Sequence, residues 1–479
     1  MKKIYICASL MLLMVTGCKK ELIQNPSNAI PVGNAFNKPD DFTNAILGVY
    51  SGLKGGSYYG GQDGGSMSAT PDVMSDNLII CSQGRRSESV LYNFTFNSNN
   101  NWDMWPNAYT VALRSNYIIA NIDHLTAGDF KSNVQGEALA LRALAHFDLL
   151  RLYAKSYTSV ISDTELGVPY VTSTDPTLLP SRTPVKTAYD LVVADLVQAQ
   201  GLIAEDNGVG RLNKAAVEGL LSRVYLYRGE WQKAADAATA SITDATSNGH
   251  ELATTANFGD IWIDADDPAS TEVLFRVTIA DLDNIPLGVG YEQASPQGVK
   301  PEYCVDWAFF NLFSATDVRT TAYIDQTVFN SDKFNYVKKY FGRATGAANV
   351  VDFKVIRLAE VYLNRAEAYS HLGSAGLALA DLNTIRSHRY TDFVAGAETG
   401  TALYNAILLQ RRLELAFEGS RFFDIKRLNI PLQRSDFGDQ IGGVGPAATL
   451  KTVAANSNLF QQPIPQSEIN ANPNIKQNP

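Results

Sequence analysis

Residues 215–242, AAVEGLLSRVYLYRGEWQKAADAATASI, and residues 356–385, IRLAEVYLNRAEAYSHLGSAGLALADLNTI, share one plan. Each reads as two short helices joined at a glycine, Gly229 in the first and Gly373 in the second. Tyr225 stands before Gly229 as Tyr369 stands before Gly373, and both second helices are rich in alanine. Alanines 234, 235, 237 and 238 leave room for close helix packing. The two units lie 144 residues apart, so they are not a simple tandem array.

The aromatic-to-glycine spacing resembles the tetratricopeptide helix–turn–helix unit, although the full consensus is missing. Further helical patterns surround the two units. DDFTNAILGVYSGL at 40–53 places apolar residues at helical spacing behind an acidic first turn. Residues 101–121 and GEALALRALAHFDLLRLY at 136–153 continue the helical reading, the latter with a continuous apolar stripe. Helical units are therefore expected near 101–153, 185–242, 356–385 and 402–428. The fold class expected is mostly α, a tetratricopeptide-like helical-repeat scaffold carrying an irregular, loop-rich region with a few short strands. That irregular insertion is placed near 244–350, with EVLFRVT at 272–278 as one short strand.

The first residues, MKKIYICASLMLLMVTGCKKE, carry two lysines and then an apolar stretch too short to span a bilayer. Val15-Thr16-Gly17-Cys18 resembles a bacterial lipobox, in which Cys18 receives a thioether-linked lipid and becomes the first residue. The expected division is a signal peptide over 1–17, a lipidated tether and N-terminal arm over 18–39, and a single domain over 40–479. Lipidation at Cys18 would anchor the chain, with an outer-membrane location favoured. Composition narrows the function. Formal charge is −9, and such acidity argues against nucleic acid as a partner. Of four cysteines, Cys7 lies in the leader and Cys18 at the anchor, leaving Cys81 and Cys304 as thiols that allow one long-range bridge but no disulfide scaffold.

Several segments are similar to those of the SusD/RagB family of outer-membrane nutrient-binding lipoproteins of Bacteroidota. They are RALAHFDLLRLYA at 142–154 with LGVPYV at 166–171, RLAEVYLNRAEAY at 357–369, RRLELAFEGSRFFDIKRLN at 411–429, and FQQPIPQSEINANPNIKQNP at 460–479. His146 falls where the family often has an aromatic residue, and Ser420 where it often has His or Lys; both read as packing variants. The resemblance implies a cell-surface protein that captures nutrient, usually oligosaccharide and in some relatives peptide. It also implies a partner, a TonB-dependent SusC-like outer-membrane β-barrel over which the protein sits as a lid. The matching segments imply scaffold. In 411–429, Glu414, Glu418 and Arg421 are expected to form ion pairs, and the C-terminal arm over 460–479 to lock across the body by backbone hydrogen bonds.

Sugar binders set flat rings against pyranose faces and surround the sugar edge with polar groups. Aromatic clusters inside Gly- or Asn-rich segments are therefore the candidate ligand residues. Tyr58 and Tyr59 lie in GSYYGGQD at 56–63, and Trp102 and Trp105 follow NFTFNSNNN at 93–101. Tyr291, Tyr303, Asp306 and Trp307 lie in YEQASPQGVKPEYCVDWAFFN at 291–311. Arg85 and Arg86 are weaker candidates for acidic sugar groups. No catalytic residues, cofactor or metal are expected. Glycoside hydrolysis needs two carboxylates about 5–9.5 Å apart, and no spacing among Asp72, Asp76, Asp264, Asp266 and Asp267 marks such a pair. The acidic run IWIDADDPAS at 261–270 lacks an EF-hand pattern and reads as a solvated turn. His146, inside an apolar helix, reads as a packing residue. No HExxH, G-x-S-x-G, P-loop or dinucleotide fingerprint is present. A structural or transporter-accessory protein, a peptide binder and, less strongly, a glycoside hydrolase are the other readings.

Overall fold

Nine long helices carry the scaffold in a computed structural model that describes residues 35–61, 65–208, 210–264, 272–343 and 345–479. Cys18, with the proposed leader and most of the tether, lies outside the described residues, as do Gln62, Asp63, Asp266 and Asp267. The helices are α1 Pro39–Leu53, α2 Trp105–Asn121, α3 Asp129–Tyr153, α4 Val185–Gln200, α5 Lys214–Arg228, α6 Trp231–Ser247, α7 Leu358–His371, α8 Ala375–Ser387 and α9 Gly400–Glu414.

Local chemistry fixes their ends. Pro39 opens α1, where its missing N–H costs nothing. The Asn213 side chain caps α5 by accepting from the Ala216 N–H at 2.8 Å. Gly229 and Gly373 take φ of +70° and +73°, a left-handed stop that a glycine adopts without a Cβ penalty. The chain then turns back alike in both units. The Glu230 N–H donates to Tyr225 O at 3.0 Å and the Ser374 N–H to Tyr369 O at 2.9 Å. The paired Tyr–Gly spacing is therefore a shared helix-stop geometry.

Each helix packs on the next: α1 on α2, α2 on α3, and so on to α6. Helix α7 then packs on α6 as well as on α8 and α9. The two units far apart in sequence are thus direct neighbours, and the Trp231 ring stacks on His371 with centroids 3.8 Å apart. The segment between them is looped out of the stack. Helix α3 is the most enclosed, with every residue from Gly136 to Tyr153 buried, and its buried charges are paired, Arg142 with Asp195 and Arg151 with Asp148. It begins at Asp129, earlier than its apolar stripe, because polar residues form its first turns.

The looped-out segment holds most of the strands. Strands β1 Leu78–Ile80, β5 Tyr303–Val305, β7 Asp332–Val337 and β6 Ile324–Phe329 form an antiparallel sheet in that order. Strands β3 Gln293–Ser295 and β4 Gly298–Lys300 form a hairpin. Strand β2 Val273–Val277 pairs with β8 Phe353–Arg357, which runs straight into α7 and so clasps the insertion to the scaffold. Cys81 and Cys304 are both buried free thiols, not a bridge.

A buried ionic cluster reinforces that clasp. Glu414, at the end of α9, receives Arg357 at 2.9 Å, Arg389 at 2.9 Å and Arg319 at 3.2 Å. Arg389 also reaches Glu272, beside β2, at 2.9 Å. Glu418 pairs with Lys339 at 2.7 Å and Arg357 at 2.6 Å. The ion pairs expected in 411–429 thus join distant elements, and Arg421 turns the other way, bidentate to Asp76 at 2.7 and 2.8 Å. The helical pair expected near 402–428 divides after Glu414. Phe417 and Gly419 take φ of +64° and +74° before a short helix resumes at Arg421–Arg427.

The C-terminal arm departs from expectation in its means. Two backbone bonds hold it, Gln462 N–H to Leu152 O at 3.1 Å and Gln466 N–H to Ser98 O at 2.8 Å. Side chains add more: Asn472 to Pro180 O, Asn474 to Leu179 O and Asn478 to Tyr153 O, at 2.7–2.9 Å, and Arg182 to Lys476 O at 2.9 Å. The asparagine richness of this arm is therefore a set of carbonyl clamps. The expected solvated turn at Asp264 is also corrected. Its carboxylate is buried and accepts from Asp352 N–H at 2.7 Å and Lys354 Nζ at 2.5 Å.

Candidate functional site

Six of the aromatic ligand candidates, Tyr58, Tyr59, Trp102, Trp105, Tyr291 and Tyr303, are buried. Tyr58 and Tyr59 are 0% and 1% exposed. Both hydroxyls donate to Asp148 Oδ2 of α3 at 2.7 Å. The glycines around them serve close approach, since a Cβ at Gly60 would lie 2.1 Å from Lys54 O and one at Gly61 1.4 Å from Gly56 O. The loop is folded flush, and its rings point inward. Trp102 is also buried, with its indole N–H donating to Ser57 O at 2.8 Å. Trp105 packs edge-on to Tyr153, centroids 5.2 Å apart.

Tyr291 and Tyr303 are buried against each other, and Tyr291 stacks on Tyr340. Asp306 is a helix cap, accepting from the Phe309 N–H at 3.1 Å and from Ser435 Oγ at 2.6 Å. Arg85 donates its Nε–H to the buried Glu302 carboxylate at 2.6 Å, so its charge is committed within the fold. Arg86 is exposed and bonds Ser82 O at 2.7 Å. These residues build the walls of the fold and present no ring face outward.

Trp307 differs. Helix Trp307–Phe310, started by the Asp306 cap, sets Trp307 and Phe310 in a near-parallel stack with centroids 5.2 Å apart and planes 20° apart. Both rings are half-buried. A glycine-rich loop, DFGDQIGGVG at 436–445, closes on them. A Cβ at Gly443, whose φ is +72°, would lie 3.0 Å from Trp307 Cδ1 and 2.3 Å from Phe437 Cδ1. Glycine there lets the loop backbone reach both rings. Phe437 remains 42% exposed and Val444 58% exposed.

The loop is pinned at several points. Gly438 N–H donates to Gly443 O at 2.8 Å and Ile441 N–H to Lys333 O at 2.9 Å. Ser82 N–H donates to Asp439 Oδ2 at 2.6 Å, and Asn330 Nδ2 to Gln83 Oε1 at 3.0 Å. Loops from three parts of the chain are thereby tied beside the Trp307 stack. Exposed Asn311 and Asp436 and half-buried Gln440 lie in the same segments. Sequence reading missed Phe310, Phe437 and Gly443; the Phe-then-glycine run at 437–445 was the available signal.

Acidic groups considered for hydrolysis have structural duties. Asp72 is buried, accepts from Asn77 Nδ2 at 2.9 Å and Phe417 N–H at 3.1 Å, and is pushed up to about 6 by burial. Asp76 is held below its usual range by Arg412 and Arg421 against the effect of burial. His146 is buried, with Nδ1 at 2.9 Å from Arg142 O and Nε2 accepting from Val171 N–H at 3.0 Å. Burial lowers it to about 4, so it sits neutral at neutral pH. Among the described residues no His, Cys, Asp and Glu grouping suits a metal ion, and no helix is long and apolar enough to cross a membrane.

Comparison with known proteins agrees with this architecture. A sequence model described as SusD family matches residues 291–479, and one described as "Starch-binding associating with outer membrane" matches residues 40–226. The chain belongs to the SusD/RagB family. Among its relatives, SusD-like protein P2 of Formosa agariphila is 26% identical, covering 100% of this chain and 99% of that protein. A solved structure of a Bacteroides vulgatus protein, described provisionally as sugar binding, superposes with a TM-score of 0.83 at 29% identity, covering 93% of this chain and 99% of the other. A SusD superfamily protein of Bacteroides thetaiotaomicron gives 0.80 at 29% identity, covering 92% and 100%.

Proposed function

We propose that this protein is a cell-surface nutrient-binding lipoprotein that captures an oligosaccharide without altering it. Cys18 would carry the lipid that holds it at the outer membrane. A TonB-dependent SusC-like β-barrel would receive the captured sugar. The observation that carries the reading is the half-exposed Trp307–Phe310 stack, flanked by Phe437 and fixed by a hydrogen-bonded loop cluster. A parallel aromatic face suits the apolar face of a pyranose ring, and the pinned loops mean that little ordering is needed on binding. Support also comes from the family model described as starch-binding and associating with the outer membrane.

Capture followed by handover needs affinity, an anchor and no bond cleavage. Calorimetric titration of the mature chain with a glycan and peptide panel tests the first, and chromatography of the recovered ligand tests the last. Saturable binding of a glycan recovered intact is the expected result. A cleaved glycan would move the assignment to a glycoside hydrolase. Copurification of a β-barrel partner without affinity for any glycan or peptide would instead favour a transporter-accessory role.

A further inference from the structure

A cavity of about 410 Å³ opens between the turn Phe258–Ile263, the helix Val318–Tyr323 and the ends of β6 and β7. It shares no lining residue with the Trp307 stack. Its volume falls within the range of small-molecule sites, about 300–1,000 Å³. Strand register arranges its polar groups. Asp325 of β6 stands opposite Tyr336 of β7, and Lys338 follows two residues on, where side chains return to the same face. Phe341 presents an apolar ring that is 60% exposed.

Trp262 forms a fixed wall of this cavity. The residue is 3% exposed, lines the cavity, and its indole N–H has no hydrogen-bond partner among the described residues. Buried indoles ordinarily find an acceptor. This one is held in place, because Lys339 Nζ sits 3.9 Å from its ring centroid and the Arg357 guanidinium 5.2 Å away. Lys339 is itself fixed by Glu418 and Ala416 O, both at 2.7 Å. The lining thus offers a rigid wall in Trp262, a donor in Lys338, an acceptor in Asp325 and a flat apolar face in Phe341. The opposite charges of Asp325 and Lys338 disfavour a guest carrying a net charge.

We propose that this cavity is a second saccharide contact, accepting one neutral pyranose unit against Phe341 with its hydroxyls on Asp325 and Lys338 and with Trp262 as the reporting wall. It rests on the reading of the protein as a saccharide binder. The test is nitrogen–proton NMR of the indole groups of the mature chain, with the Trp262 signal assigned by its loss in Trp262→Phe and the Trp307 signal by Trp307→Ala. Glucose, galactose, mannose, xylose and glucuronate are the probes, each at high millimolar concentration. At least one neutral sugar should shift the Trp262 signal saturably. That shift should persist in Trp307→Ala and weaken about tenfold in both Phe341→Ala and Asp325→Asn, which alter exposed positions. A Trp307 signal that moves while Trp262 stays still would overturn the second contact and leave the main reading standing. Loss of the Trp262 shift in Trp307→Ala would reduce the two sites to one and overturn it too. A shift with glucuronate alone would overturn the neutral class, and stillness of both signals with every probe would contradict both readings.

Discussion

Tyr58 and Trp307 looked alike in the sequence, each an aromatic residue in a segment rich in turn formers, yet one is core and the other half-exposed. Composition cannot separate a glycine that frees a loop from one that lets two backbones touch, and Gly60 and Gly61 are of the second kind. The charges of 411–429 were legible as ion pairs, but their partners were not, because Arg319, Arg357 and Arg389 come from elsewhere in the chain. Replacing Glu414 by Gln removes one carboxylate from three buried guanidinium groups. We expect a loss of about 3–5 kcal/mol in unfolding free energy by urea denaturation, and a loss below 1 kcal/mol, on the order of a surface pair, would refute the cluster's role.

Glu292 makes the opposite case at the same scale. It is buried, neither carboxyl oxygen has a hydrogen-bond partner among the described residues, and burial pushes it up to about 9, with Lys338 opposing and Asp325 assisting. Its ordinary value is 4.5. Between these values the folded chain holds a proton that the unfolded chain releases, so this group's contribution to stability falls as pH rises through that window. Glu292→Gln lacks the linkage. Its unfolding free energy relative to the unmodified protein should therefore shift in the variant's favour from about pH 5 to about pH 8. Denaturation curves across that range check the sign, and a difference independent of pH would contradict it.

At the scale of elements, the helix–glycine–helix units were the best-read feature because their signals are local. Periodicity, an aromatic position and a stop glycine all lie within one unit. Gly229 and Gly373 carry positive φ, while Gly376 lies in α8 with open space where a Cβ would stand. Gly229→Ala and Gly373→Ala should each cost about 1–2 kcal/mol through left-handed strain. Gly376→Ala should stabilise by roughly 0.5–1 kcal/mol through helix propensity. Thermal unfolding of the three variants is the check, and equal shifts for all three would contradict the turn geometry. Helix breaks were harder to read: the stop between Glu414 and Arg421 depends on Phe417 at positive φ, held by a bond from its N–H to Asp72 far away in the chain.

Across the whole molecule, the helical scaffold was legible and its closure was not. Nothing local announces that α7 resumes the stack on α6 after the insertion, because that contact depends on β2 pairing with β8 and on the Glu272 ion pairs. The candidate site has the same character. It is assembled from the segment after β5 and the glycine-rich loop at 436–445, with loops near 82 and 330 tied alongside, so only Trp307 was visible in advance. The most direct test of the central claim pairs two variants in one calorimetric titration with a glycan that the unmodified mature chain binds. Trp307→Ala should weaken binding at least tenfold while unfolding near the normal midpoint, and Tyr58→Phe should lower stability while binding normally. Normal binding by Trp307→Ala would contradict the account and remove the Trp307 stack as the place of capture.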